Sequence, residues 1–190
     1  MDILNFRQKT LTINENIYFD KNDYLREKAT DPSRLNEFID EAKDLLKNSN
    51  KGDKYFLHGV LGNLYRINGQ PKEAITCLTY CLDYAIREKS YKKEIISLIR
   101  LGEAFKYDNN HELALDKFNK ALRICKNKQV DEYLDFALQH KGKCLMELAR
   151  LEDAEICFIK ALEIRNKKGD SSLVDSSQQA IDFMREIKMS

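Results

Sequence analysis

The sequence predicts an all-α fold, a right-handed α-solenoid of stacked antiparallel helix pairs, and three observations carry that prediction. Residue types return every forty positions: Gly62, Gly102 and Gly142; Ala74, Ala114 and Ala154; Leu78, Phe118 and Phe158; Cys81, Ala121 and Ala161. A fixed period of this order marks supersecondary units that cannot bury their apolar face alone and therefore stack. Each period also holds two stretches with apolar residues at helical spacing. Finally, seven Gly and two Pro among 190 residues, with 33% charged and 43% hydrophobic, suit a helical chain better than a disordered or all-β one.

Taken in order, residues 1–30 have mixed periodicity. Ile13, Ile17, Tyr24 and Leu25 fit a helix over Glu15 to Lys28, preceded by a packed arm. Asp31-Pro32 marks a boundary, because Asp caps helices well, Pro is tolerated at the first helical position, and the residue before Pro is pushed out of the α region. Leu35, Phe38, Ile39, Ala42, Leu45 and Leu46 then form one helical stripe from Ser33 to Lys47. Three helix pairs follow: Asp53–Ile67 with Pro71–Glu88, Lys92–Tyr107 with His111–Asn127, and Asp131–Leu148 with Leu151–Lys167. Asn68-Gly69 turns the first pair tightly, whereas Ala149-Arg150 is the least turn-like of the three joints. Ser171 to Lys188 is one amphipathic helix, a cap with a wet outer face. With no linker or composition shift, residues 1–190 form a single domain. Residues 1–52 are a degenerate N-terminal repeat (arm and helix pair), repeats occupy 53–90, 91–130 and 131–170, and a C-terminal capping helix fills 171–190.

Charge and cysteine content narrow the function classes. Lys and Arg number 32 against 31 Asp and Glu, a net charge of +1, so no global field attracts nucleic acid or an anionic membrane. No window approaches the length of a membrane-spanning apolar run, and Met1 to Arg7 lack a basic leader. Five cysteines without framework spacing fit reduced thiols and a cytoplasmic protein.

The first repeat reads His58, Leu61-Gly62, Tyr65, Ala74, Leu78, Cys81; the second Leu98, Leu101-Gly102, Phe105, Ala114, Phe118, Ala121; the third Leu138, Lys141-Gly142, Leu145, Ala154, Phe158, Ala161. This spacing resembles the tetratricopeptide repeat (TPR). Gly inside a helix costs about 1 kcal/mol against Ala and persists where a facing helix approaches nearly to backbone contact. Two departures stand out: the period is forty, not 34, and Lys141 replaces the expected Leu. The longer period is similar to that of kinesin light chains, polarity adaptors and bacterial Rap-type peptide receptors.

The resemblance implies a non-enzymatic adaptor, scaffold or regulator that holds a protein or peptide in a concave groove lined by the first helices. Helical counting turns Phe56, Val60, Asn63, Arg66 and Ile67 inward, then Ile96, Arg100, Glu103, Lys106 and Tyr107, then Phe136, His140, Lys143 and Glu147. The candidate binding residues are Phe56, Asn63, Arg66, Arg100, Glu103, Lys106, Tyr107, His140 and Lys143, a mildly basic face suited to a peptide with an acidic group and an apolar anchor. The competing reading is that Arg66, Arg100, Lys106 and Lys143 solvate this face and pair with Glu103 and Glu147. Relatives that clamp chaperone tails use Lys, Asn, Asn, Lys and Arg where this chain has Gly59, Asn63, Arg100, Phe136 and His140, so that mode is not expected.

Two alternatives to the groove remain: a homodimer through the terminal helices, tested at Ile181 and Met184, and a Rap-type peptide receptor. Catalytic and metal readings are weak. Cys77 and Cys81 lie on one helix face with His58 near, but Cys81 fills a small-residue packing slot and His58 a large one. No phosphate loop, paired-His helix or nucleophile elbow is present, so no cofactor and no catalytic residue is expected.

Overall fold

The computed structural model, which describes residues 2–189, starts and stops its helices where capping chemistry asks. Among the described residues there are nine α-helices: α1 (Ile3–Lys9), α2 (Pro32–Leu46), α3 (Lys51–Ile67), α4 (Pro71–Arg87), α5 (Tyr91–Tyr107), α6 (His111–Lys128), α7 (Leu134–Glu147), α8 (Leu151–Lys168) and α9 (Ser171–Met189). A 3₁₀ turn, Asp131–Tyr133, leads into α7. The Asp31 carboxylate accepts from Ser33 N at 2.9 Å, with Pro32 in the first turn. Asn50 and Ser90 cap α3 and α5 in the same way.

Helix ends repeat with the same period as the packing residues. Gly69, Asn109 and Ala149 have φ of 73°, 58° and 57°; Lys89, Gln129 and Gly169 have 52°, 54° and 75°. Each repeat therefore reverses the chain through a left-handed residue at two fixed positions, and Ala149 adopts that conformation although its Cβ opposes it. The joint that looked least like a turn is built like the others.

Contacts divide the chain into two units, one ending at Lys89 and the other starting at Ser90. In the first, α2 packs on α3 and α3 on α4. Phe6 of α1 is fully buried, its ring 6.4 Å from Phe38 and 6.3 Å from Phe56. In the second, α5 packs on α6, α6 on α7, α7 on α8, and α8 on α9. The glycines mark the tightest crossings: a Cβ at Gly62 would lie 2.5 Å from Leu78, and at Gly102 or Gly142 2.6 Å from the Phe118 or Phe158 ring.

The helix expected over 15–28 is absent. A 3₁₀ segment, Thr10–Asn16, leads into an antiparallel hairpin of β1 (Ile17–Asp20) and β2 (Arg26–Ala29), with Ile17 opposite Ala29 and Asp20 opposite Arg26. Ile17, Tyr18 and Phe19 are β-branched or aromatic and favour a strand. Asp20 accepts from Asn22 N at 2.9 Å, which starts the turn, and Lys28 Nζ bridges Asp20 and Asp23 at 2.8 and 2.9 Å. At the base, buried Asn16 donates to Asp31 O at 2.7 Å and accepts from Asp31 N at 2.9 Å, tying the hairpin to the start of α2.

Candidate functional site

The forty-residue register sorts the predicted inner face into open and closed positions. Position 66 and its equivalents 106 and 146 are closed: Arg66, Lys106 and Met146 are 3%, 1% and 1% exposed. Ile67, expected to point inward and stay clear of packing, belongs to the core of the first unit with Leu61 and Leu64. Positions 63, 103 and 143 are largely covered, Glu103 and Lys143 being buried and Asn63 half-buried. Positions 56, 96 and 136 are half-buried, and at 60, 100 and 140 the side chains are half-buried Val60, exposed Arg100 and half-buried His140.

In the first unit the chain itself occupies the predicted site. Arg66 Nη2 donates to the Glu27 carboxylate of β2 and to Asn63 Oδ1, the latter at 2.7 Å. Phe56 is covered by Phe6 and by the Arg7 guanidinium, 3.8 Å from the ring centroid, while Arg7 also reaches Asp53 at 3.2 Å. Arg66 and Phe56 were expected on an open wall; the hairpin and α1, whose folds the sequence did not disclose, cover them.

In the second unit Lys106 is an internal ion-pair partner. Its ammonium lies 2.9 Å from Glu147 Oε1, and His111 Nε2 lies 2.9 Å from Glu147 Oε2; the Lys106 and Glu147 side chains are 1% and 2% exposed. Lys106 also sits 5.1 Å from the centroid of the half-buried Tyr107 ring. Glu103 Oε1 is 3.0 Å from His140 Nδ1, close enough for an ion pair though not aligned for a hydrogen bond. The pairing alternative therefore describes Lys106 and Glu147, and it becomes more than solvation because both charges are out of water. His111 at the start of α6 was missed as a partner; the signal for burial at this register was Met146, an apolar residue where the other repeats carry a cation.

Arg100 is different: exposed, with no ion-pair partner among the described residues. Ile96 lies one turn before it on α5. Phe136, facing the Arg165 guanidinium at 5.3 Å, lies one turn before His140 on α7.

The thiol and imidazole groups behave as packing. The His58 ring packs against Tyr80 with centroids 4.1 Å apart and the planes tilted by 32°, and its pKa is lowered by burial first and by Lys54 second. Cys81 Sγ approaches the Tyr55 carbonyl at 3.4 Å. Burial, with Glu73 adding, pushes the Cys77 thiol up to about 11, the opposite of a poised nucleophile. No disulfide joins any of the five cysteines, and among the described residues no group of three His, Cys, Asp or Glu is placed to hold a metal. Ile181 and Met184, proposed as a dimer contact, are 2% and 0% exposed within the chain's own packing of α9. No described helix is long and apolar enough to cross a membrane.

Two models described as tetratricopeptide repeat match the chain, over residues 56–127 and 137–168, together more than half of it. No curated protein matches. Among solved structures, apo RapI is similar at 15% identity and TM-score 0.69 over 97% of this chain, which spans 62% of RapI. Two structures of nearly identical TPR-like repeats from a Podosopora anserina protein assigned to the kinesin light chains are also similar. Their identities are 14% and 12% and their TM-scores 0.63 and 0.58, over 81% and 82% of this chain and 78% and 88% of theirs. At these identities the likeness is one of fold. With helix pairs in register, glycines at the crossings and both family models in agreement, the chain belongs to the tetratricopeptide repeat family.

Proposed function

We propose that the chain is a non-enzymatic, protein-binding adaptor or regulator, and that its contact surface is the α5/α7 face carrying Ile96, Arg100, Phe136 and His140. One observation carries this reading: Arg100 is the exposed, uncommitted cation of the predicted set, whereas Arg66 and Lys106 are consumed internally. An exposed guanidinium matches a carboxylate in a bidentate fork, and half-buried Ile96 and Phe136 offer apolar contact beside it. The partner is accordingly a peptide segment with an acidic residue next to an aliphatic or aromatic one.

The test is selection of peptides from a random library on the immobilised protein, followed by fluorescence polarisation with wild type and Arg100→Glu. Enrichment of acidic-plus-apolar peptides that lose at least tenfold affinity on Arg100→Glu is expected. Selected peptides without acidic residues, or unaltered affinity in the variant, would sink the proposal. Lys106 is unsuitable for this purpose, since Lys106→Glu sets a second carboxylate against buried Glu147 and damages the fold instead of the surface.

A further inference from the structure

The third repeat carries a residue that neither the packing pattern nor the inner face accounts for. Leu61 and Leu101 are each 2% exposed, filling the space beside the glycine of their repeats. At the equivalent position stands Lys141, half-buried. A lysine laid in an apolar niche keeps its stem there and sends its ammonium toward water, so it cannot fill the niche as leucine does. The structure has a cavity at this place, about 330 Å³, walled by Leu122 of α6, Leu138 and Leu145 of α7 and Ile156 of α8, with Lys141 and Lys160 at its edge. The volume lies at the small end of ligand pockets, which run roughly 300–1,000 Å³.

The charges around the cavity are unbalanced. Arg150 and Asp153 also line it and are paired with each other, at 2.7 and 3.1 Å, so their charges cancel. Neither Lys141 nor Lys160 has an ion-pair partner among the described residues, and both stand near enough to Cys157, at the wall, to pull its thiol pKa down against the rise that burial causes. Ile156 is 51% exposed at the mouth, an aliphatic side chain left in water beside two unpaired ammonium groups. Residues 138, 141 and 145 also lie on the opposite side of α7 from His140 and Lys143, two positions along a helix being a turn of about 200°. The cavity thus involves none of the residues of the α5/α7 face.

We propose that this cavity is a binding site for a small aliphatic carboxylate, its head group between Lys141 and Lys160 and its hydrocarbon against Leu122, Leu138, Leu145 and Ile156. The apolar walls select the chain, and the two ammonium groups select an anion over an alcohol or amine.

Octanoate is the probe, with octanol and octylamine as controls, titrated into isotope-labelled protein and followed by amide chemical shifts. The expected result is saturable octanoate binding with shifts centred on residues 138–160, octanol at least tenfold weaker, and no binding of octylamine. Lys141→Leu restores the residue of the sister repeats; it should lower octanoate affinity at least tenfold while melting no lower than wild type. Lys160→Gln should weaken octanoate but not octanol. Equal affinity for octanoate and octanol, shifts centred elsewhere, full affinity in Lys141→Leu, or no saturable binding to wild type would each overturn the assignment.

Discussion

Removing the Asp135 carboxylate should release the C-terminal helix before anything else in the second unit. Asp135 is 0% exposed and accepts from Arg165 Nε at 3.0 Å and from Lys168 Nζ at 2.5 Å. Arg165, 2% exposed, spends its Nη1 on the Leu173 carbonyl at 3.0 Å and the Ser177 hydroxyl at 2.9 Å. Ser177 in turn donates to Gln139 Oε1 at 3.0 Å. One guanidinium therefore ties α8 to α7 through Asp135 and to α9 through Leu173 and Ser177. Asp135→Ala leaves Arg165 charged, buried and without its carboxylate, a loss of about 3–5 kcal/mol, against a total stability for small domains of about 5–15 kcal/mol. Asp153→Ala, which breaks the exposed pair with Arg150, should cost only about 0–1 kcal/mol and serves as the control. Urea unfolding followed by circular dichroism gives the magnitude, and amide hydrogen exchange gives the location: protection should fall first over residues 171–189. The double change Asp135→Ala with Arg165→Met should recover most of the loss, because the orphaned charge is then gone. A cost below about 1 kcal/mol for Asp135→Ala, or unchanged protection of α9, would refute this account of what holds the cap.

Other tests address the turns and the buried imidazole. Ala149→Gly should stabilise by about 0.5–1 kcal/mol in urea unfolding, since the left-handed conformation costs an L-residue about 1–2 kcal/mol and glycine's added chain entropy returns part of that; a destabilised variant would contradict it. His58 has its pKa lowered from 6.5 by burial and by Lys54, so the unfolded chain takes up the proton first as pH falls. The stability that neutral His58 confers is present above pH 6.5 and is lost as pH drops toward the lower folded value. His58→Leu, the residue found at 98 and 138, should flatten the wild-type decline between about pH 6.5 and 5. An identical slope in both proteins would reject the assignment.

The repeat was legible because its cause is steric and local. Gly62, Gly102 and Gly142 recur where Leu78, Phe118 and Phe158 press within 2.5 to 2.6 Å of a would-be Cβ, so a larger residue would force those side chains to shift. Helix ends were placed to within a few residues by the same means, through Asp31, Pro32 and Pro71. Residues 15–28 were misread because Ile13, Ile17, Tyr24 and Leu25 satisfy a helical period while the deciding interactions are side-chain bonds made in the turn. Lys28 on Asp20 and Asp23, and Asn16 on Asp31, have no signature in apolar spacing. The inner face was legible as a face, and pairing with Glu147 was one of the two readings of Lys106, but the burial of that pair was not legible. Helical counting places a side chain on a side of its helix, and it says nothing about how deeply the neighbouring helix covers it.

That distinction decides what remains for a partner. Lys106 and Glu147 join α5 to α7 across adjacent repeats, and the equivalent residues Arg66 and Met146 are equally buried without sharing one chemistry. The position must be filled; it need not be charged. A buried pair gains little over apolar filling in stability, but it is directional, since Lys106 can satisfy Glu147 only at one offset between the two helices, with His111 on the carboxylate's other oxygen. Charges committed in this way are withdrawn from recognition, which is why the proposed contact surface is built on Arg100 and not on Arg66 or Lys106.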